Sequence, residues 1–345
     1  MIDEIAANLF KIELPLPHNL LKSMNCYLIR GSGQFLLIDT GMNRIECLNA
    51  IQVALRRLQV NLKKTDFFIT HLHADHIGLV SELATGTSKI YFSEKESLLV
   101  KRGDFWAHAY PAFRISGFDQ NGFDQVKAMF PQDRYGPKAD SVFDILSEGN
   151  NITIGDYCLT CIETPGHSPA HLCLYDATRK LLFSGDHLLW DVTPNISGLG
   201  FFFDGVTNPL KNYLESLDKI YGLDVSLVLP GHRRLFNNHR KRISELKRHH
   251  EMRSREILSI LQGQEDLTAY EIAARMGWKI YGPWADFPAV QKWFATGEAF
   301  AHLLYMENKG EVSKQTKGVN DPASPDVTIT RDGKSSPWTF SVTNP

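Results

Sequence analysis

The sequence predicts an α/β fold with a helical C-terminal region. Three observations carry this. Strand-like and helix-like segments alternate through the first two thirds of the chain. Several apolar strands end abruptly in His, Asp or Gly. From about residue 238 onward the pattern turns helical and basic.

The elements follow in order. "NLFKIELPL" reads as a strand, and "NCYLIRGSGQFLLIDTG" as a hairpin turning at "RGSGQ". In "NRIECLNAIQVALRRLQV" the apolar residues Ile45, Leu48, Ile51, Leu55 and Leu58 recur at helical spacing. "TDFFITH" reads as a buried strand, "HIGLVSELATG" as a short helix stopped by glycine, and "KIYFSEKE" as another strand. Residues 94–148 break the rhythm and read as an insertion rich in aromatics: Phe105, Trp106, Tyr110, Phe113 and Phe118. Such an insertion suits an apolar acceptor pocket, or packing on the main body or on a second subunit. Strands resume with "NITIGDYCLTCIETPG", "HLCLYDATRKLLFSGDHLL" and, after a helix near 208–221, "SLVLPGH". "HRKRISELKRHHEMRSREILSILQG" is a helix with a basic polar face. "LTAYEIAARMGW" begins a helix at the capping residue Thr268, and "AVQKWFATGEAFAHLLYMENKGEVSK" ends in the turn and strand of a small wing. Residues 314–345 are polar and rich in Pro, Gly and Ser, as in a flexible tail. The expected organisation is therefore 1–237, 238–313 and the tail.

Composition bounds the function. The chain has 345 residues, 43% hydrophobic and 22% charged, with a net charge of -2. That balance gives no bulk electrostatic case for nucleic acid or an anionic membrane. The N-terminal stretch lacks a basic region followed by a long apolar run, so no signal peptide is read. No segment approaches the roughly 18 apolar residues of a membrane span. Five sparse cysteines, Cys26, Cys47, Cys158, Cys161 and Cys173, suit a reduced, cytoplasmic protein. Cys158 and Cys161 form a C-x-x-C on a strand, where they face opposite ways, and they read as structural, buried or half-buried.

The chemistry concentrates in "ITHLHADHIG", which holds His71, His73, Asp75 and His76. The two histidines of "HLH" lie on one side of an extended segment. Asp75 and His76 follow as the chain turns into a helix and aim the other way. One segment can thus serve two ions about 3.5–4 Å apart. Four further junctions end in polar residues: Asp39 in "LLIDTG", His167 in "TPGHSPAH", Asp186 in "FSGDH" and His232 in "LPGH". Neutral imidazoles bind zinc, iron or manganese, and a carboxylate can bridge two ions. His171 and His187 flank these positions and read first as structural.

With these five ordered motifs, residues 8–235 resemble the metallo-β-lactamase fold superfamily. The resemblance implies an αββα sandwich with the site along one edge. It implies a first metal on His71, His73 and His167, a second on Asp75, His76 and His232, Asp186 bridging, and Asp39 behind the ligands orienting them. Two divalent ions, zinc foremost with iron or manganese as alternatives, would supply a bridging hydroxide. Asp75 would orient it or take its proton. The expected reaction is hydrolysis of a small ester, thioester or phosphoester. Di-iron oxidoreductases of the superfamily typically replace the second histidine by glutamate, whereas His73 is intact. Glyoxalase II proteins carry an Arg- and Gly-rich stretch after the bridging aspartate, which "LLWDVTPNISGLGFFFDGVTNPL" lacks.

Residues 208–312 resemble the branch with a small C-terminal winged-helix domain, which includes lactamase-like endoribonucleases. That keeps open an endoribonuclease or phosphodiesterase using Arg233, Arg234, Arg240, Lys241, Arg242, Lys247, Arg248, Arg253 and Arg255. Glu245, Glu251 and Glu256 punctuate this run and allow local ion pairs, so nucleic acid is not the favoured partner. A homodimer is compatible, and a non-catalytic, metal-stabilised binding module is the third reading.

Overall fold

The structure, a computed structural model, describes all residues except 18, 104, 130–135, 137–140, 198–206, 264–265, 281, 317–335 and 344–345, and leaves out the side chains of 105, 107 and 108. The chain divides into two compact units. The first comprises 1–103, 132–194 and 215–244; the second comprises 104–131, 195–214 and 245–345. This differs from a simple boundary at 237. Part of the insertion belongs with the C-terminal residues, and the division falls inside the helix His239–Gly263.

Two sheets build the first unit. One has the order β1 (Ile2–Ala6), β2 (Leu9–Pro15), β3 (Ser23–Arg30), β4 (Phe35–Ile38), β5 (Thr65–Phe68), β6 (Ile90–Ser93) and β7 (Asp144–Leu146). The other has β8 (Asn151–Ile154), β9 (Tyr157–Glu163), β10 (Leu172–Asp176), β11 (Leu181–Gly185) and β12 (Leu227–Pro230), with β8 and β12 at its edges. The hairpin β3–β4 forms where the glycines of "RGSGQ" predict it, closed by the Gly31 N–H donating to the Gln34 carbonyl at 2.8 Å. The sheets meet through Leu9, Tyr27, Ile38, Phe68, Leu159, Leu174, Phe183 and Leu229, all buried in one cluster. On the other side of the first sheet, the helix Ile45–Arg57 packs against β2. Its buried residues are Cys47, Ile51, Ala54 and Leu55. Ile45, expected on that face, is exposed because it opens the helix. Cys158 and Cys161 face opposite sides of β9 as expected, but only Cys161 is buried; Cys158 is exposed, because its side of the strand looks outward.

Strand direction explains where the polar residues gather. β4, β5, β6 and β7 pair in parallel, as do β11 and β12. β9 runs with β11, because each is antiparallel to β10. The carboxyl ends of β4 and β5 therefore share one edge of their sheet, and those of β9, β11 and β12 share one edge of theirs. Each of these five ends leads into one of the motifs.

In the second unit, the helices Phe105–Ile115 and Gln120–Met129 share a core with Ala269–Ala273 and Ala289–Asn308. Trp106, Phe113, Phe118 and Phe123 pack there with Trp293, Ile272 and Phe300. Phe113 and Trp293 stack at 5.7 Å between ring centroids. The described aromatic side chains of the insertion thus pack in the core of the second unit; the Phe105 side chain lies outside the described residues. Thr268 caps Ala269–Ala273 as expected, and Glu271 answers it with a bond back to the Thr268 N–H. The expected flexible tail is corrected at its end. β14 (Trp338–Val342) pairs antiparallel with β13 (Val312–Thr316), and Trp338, Thr339 and Phe340 are buried. The short apolar run "PWTFSV" was hidden by the polar average of 314–345, of which 317–335 lie outside the described residues.

Candidate metal centre

Seven side chains converge at the shared strand ends, all within the first unit. After β5 the chain bends at Thr70 and Leu72 and reaches His73, whose φ of -63° and ψ of 142° make it the cap of the helix Ala74–Ile77. That change of direction separates His71 and His73 from Asp75 and His76. His71 Nε2 lies 2.9 Å from His73 Nδ1, and His167 Nε2 lies 3.0 Å from the same His73 atom. On the other side, His76 Nε2 lies 3.3 Å from His232 Nε2, which is 3.4 Å from Asp75 Oδ2. Asp186 sits between these sets: its Oδ2 is 3.5 Å from both His167 Nε2 and His232 Nε2, and its Oδ1 is 3.5 Å from His76 Nε2. The sequence-predicted ligands are thus all brought together.

Groups behind the cluster fix which nitrogen faces it. The Thr70 hydroxyl donates to Asp39 Oδ2 at 2.9 Å, so its oxygen accepts from His71 Nδ1 at 3.0 Å. His76 Nδ1 donates to Asp39 Oδ2 at 2.7 Å. His232 Nδ1 donates to the Ser23 carbonyl at 2.9 Å. Each bond turns Nδ1 away from the centre and leaves Nε2 as the nitrogen that faces it. Asp39 therefore lies behind the cluster, where it reaches His76 directly and His71 through Thr70.

The donor set fits divalent ions. A tetrahedral ion with nitrogen ligands at about 2.0–2.1 Å keeps those nitrogens roughly 3.3 Å apart. The observed nitrogen–nitrogen separations run from 2.9 to 3.3 Å, and His232 Nε2 lies 3.5 Å from Asp186 Oδ2. Asp186 Oδ1 is buried and takes part in no hydrogen bond, an expensive arrangement unless a cation faces it.

The electrostatics divide the centre. Burial, then neighbouring imidazoles, hold His71 well below its usual range, and burial pushes His73 down to about 3. Both are neutral, ligand-ready imidazoles. At His232 burial pulls down, but Asp186 and Asp75 outweigh it and push the ring up to about 10. His76 is raised in the same way against burial, by Asp39 and Asp186. Burial would raise Asp75 and Asp186, yet the imidazoles keep both below the usual carboxylate range. This half of the centre is built to hold positive charge.

Two glycines make the approach feasible. A Cβ on Gly231 would lie 2.7 Å from His76 Cε1 and 2.8 Å from Asp186 Oδ1. A Cβ on Gly185 would lie 2.5 Å from His171 Nε2, and Gly185 has a φ of +46°. The glycine in "LPGH" is where backbone crowds His76 and Asp186, and the one in "FSGDH" is where it crowds the His171 ring.

Of the flanking histidines, His171 has a definite position. Its Nδ1 donates to Thr164 Oγ1 at 2.8 Å, so its Nε2 accepts the Asp186 N–H at 3.2 Å and holds the backbone of the central aspartate. His187 is fully buried. Sequence reasoning missed Glu96. Its carboxylate accepts the Leu72 N–H at 2.7 Å, the Ala170 N–H at 2.9 Å and the Ser168 hydroxyl at 2.5 Å. Burial pushes it up to about 7 against these three bonds, which lower it. Nothing in "SEKESLL" separates the buried Glu96 from the exposed Glu94.

The family profile described as the metallo-beta-lactamase superfamily matches residues 22–232. The chain is 25% identical over 307 residues to the Probable metallo-hydrolase YqjP of Bacillus subtilis, covering 85% of this chain and 90% of that protein. It is 29% identical over 235 residues to the Acyl-coenzyme A thioesterase MBLAC2 of Homo sapiens, covering 63% and 75%. In fold it is similar to a metallo-beta-lactamase family protein from Thermus thermophilus, with a TM-score of 0.78, 24% identity, and coverage of 98% of this chain and 100% of that one. With the profile spanning more than half of its length, this chain belongs to the metallo-beta-lactamase superfamily of metal-dependent hydrolases.

Proposed function

We propose that this protein is a dinuclear metallohydrolase acting on a small thioester, ester or phosphoester, with a thioester the first class to test. The observation that carries the reading is the placement of Asp186 Oδ2 at 3.5 Å from ligand nitrogens of both sets. A carboxylate held between two sets can serve two ions at once. In this reading His71, His73 and His167 hold one ion, Asp75, His76 and His232 hold the other, and Asp186 touches both. Zinc is the foremost candidate, with iron or manganese as alternatives, because imidazole and carboxylate donors accept all three. When bound, two such ions acidify a water and stabilise the negative charge that develops on the carbonyl or phosphoryl oxygen. Asp75 lies 3.4 Å from His232 Nε2, which supports the reading that it orients that water or accepts its proton. Similarity to a protein named as an acyl-coenzyme A thioesterase favours the thioester class.

The nuclease alternative draws less support from the basic run. Arg240 is engaged by the carbonyls of Tyr221 and Leu223, and Arg242 by those of Leu189 and Val192. Arg253 is bonded to Glu298, Glu256 and the Gly277 carbonyl, and Arg255 to Glu251. The test is a turnover panel of acyl-coenzyme A thioesters, carboxylic esters, bis-p-nitrophenyl phosphate and RNA, with zinc, manganese or iron supplied. Thioester cleavage that disappears in Asp186→Ala and on chelation is the expected result. Turnover that survives both changes overturns the reading, and cleavage of RNA alone transfers it to the nuclease.

A further inference from the structure

We propose that Glu96 is a positioning residue for the first ligand set: by tying together the two loops that carry His71, His73 and His167, it sets the affinity of that half of the centre. The inference rests on the reading of the cluster as a metal centre. Glu96 lies outside every ligand motif, in the helix Glu94–Arg102 that follows β6. Its side chain is fully buried and reaches two segments distant in sequence.

The three bonds divide between those two segments. One oxygen accepts the Leu72 N–H, the peptide between the two histidines of "HLH". The other accepts the Ser168 hydroxyl and the Ala170 N–H, just beyond His167. Fixing the Leu72 peptide fixes the bend that brings His71 Nε2 to 2.9 Å from His73 Nδ1. Fixing Ser168 and Ala170 fixes the loop that brings His167 to 3.0 Å from His73. The ligands of the other half are anchored elsewhere, His76 by Asp39 and His232 by the Ser23 carbonyl. Glu96 is faced by three donors, and an ionised carboxylate is the one side-chain group of this shape with acceptors on both arms. Glutamine cannot replace it. Its single oxygen serves one loop while its NH₂ confronts a backbone N–H of the other, that of Leu72 in one orientation and that of Ala170 in the other, so a bond is lost either way.

The test is a metal titration of metal-stripped protein with Zn²⁺ against a chelating indicator. It compares wild type, Glu96→Gln and Ser168→Ala, each also in a His232→Ala background that keeps only the first set intact. Wild type should bind two ions. Glu96→Gln should weaken one of them by about 10–100-fold, the usual cost of losing a partner behind a ligand. It should do the same to the single ion of the His232→Ala background. Ser168→Ala, which removes one bond of three, should weaken the same ion about threefold. Activity of Glu96→Gln should return at high Zn²⁺. Two ions of unchanged affinity in Glu96→Gln, or equal weakening of both, overturns the proposal. If Glu96→Gln does not fold, unchanged affinities in Ser168→Ala overturn it. Wild type that binds no ions would instead overturn the metal-centre reading beneath it.

Discussion

Asp39 Oδ2 lies 2.7 Å from His76 Nδ1, and the same carboxylate takes the N–H and the hydroxyl of Thr70. One buried acid therefore orients the candidate ligand His76 directly and, through Thr70, the candidate ligand His71. Asp39→Ala should weaken metal binding at His76 by about 10–100-fold. The same titration of metal-stripped protein measures it, and unchanged affinity would show that His76 is held by packing alone.

Gly231→Ala should be costly out of proportion to one methyl group. The added Cβ would meet His76 Cε1 at 2.7 Å and Asp186 Oδ1 at 2.8 Å. Neither neighbour is the far end of a flexible chain. Overpacking of this kind costs about 1–3 kcal/mol. Chemical denaturation should show the loss, and the Zn²⁺ titration should show weakened binding in the same variant.

Stability should fall in mild acid, through histidines outside the centre. His302 Nδ1 donates to the Glu298 carbonyl at 2.8 Å, so its Nε2 accepts from His250 Nδ1 at 3.2 Å. Burial, then the neighbouring imidazoles, pushes His250 down to about 3, and burial also lowers His302. Unfolded imidazoles take up protons near pH 6.5, so below about that pH the unfolded chain binds more protons and stability declines. His249, Glu298, Arg253 and the Tyr213 ring lie around them. Burial raises Glu298, but His249 and Arg253 outweigh it and hold it at about 2, so its contribution is lost only at lower pH. Melting temperatures measured from pH 7 to 4 should fall, and His250→Asn, which keeps the donor to His302, should flatten the decline. An unchanged slope would rule His250 out as its source.

The insertion should matter to folding of the second unit. Trp293 stacks on Phe113 at 5.7 Å and lies 6.3 Å from Trp106. Trp293→Ala should cost about 3–5 kcal/mol. Thermal unfolding followed by near-ultraviolet dichroism should report it, whereas Cys158→Ser, on an exposed face of β9, should leave the transition in place.

The two halves of the chain were unequally legible. The ligands stood out because a metal demands rare residue types at strand ends, and periodicity located those strands. Asp39 was visible for the same reason. Glu96 was not, because a glutamate near a helix start is ordinary and its burial depends on contacts 24 and 72–74 residues away in sequence. The aromatic insertion was recognised as a segment, but its packing partner Trp293 lies far down the chain, and local pattern does not encode such pairings. Trp338–Val342 was lost for the opposite reason: five residues of strand vanish in a window of polar tail.

The central claim is that one chain holds two divalent ions with Asp186 between them. The most direct measurement is the metal-to-protein ratio, by elemental analysis of protein reconstituted with zinc and freed of excess. Two ions per chain are expected in the wild type; one ion, or none, would contradict the claim.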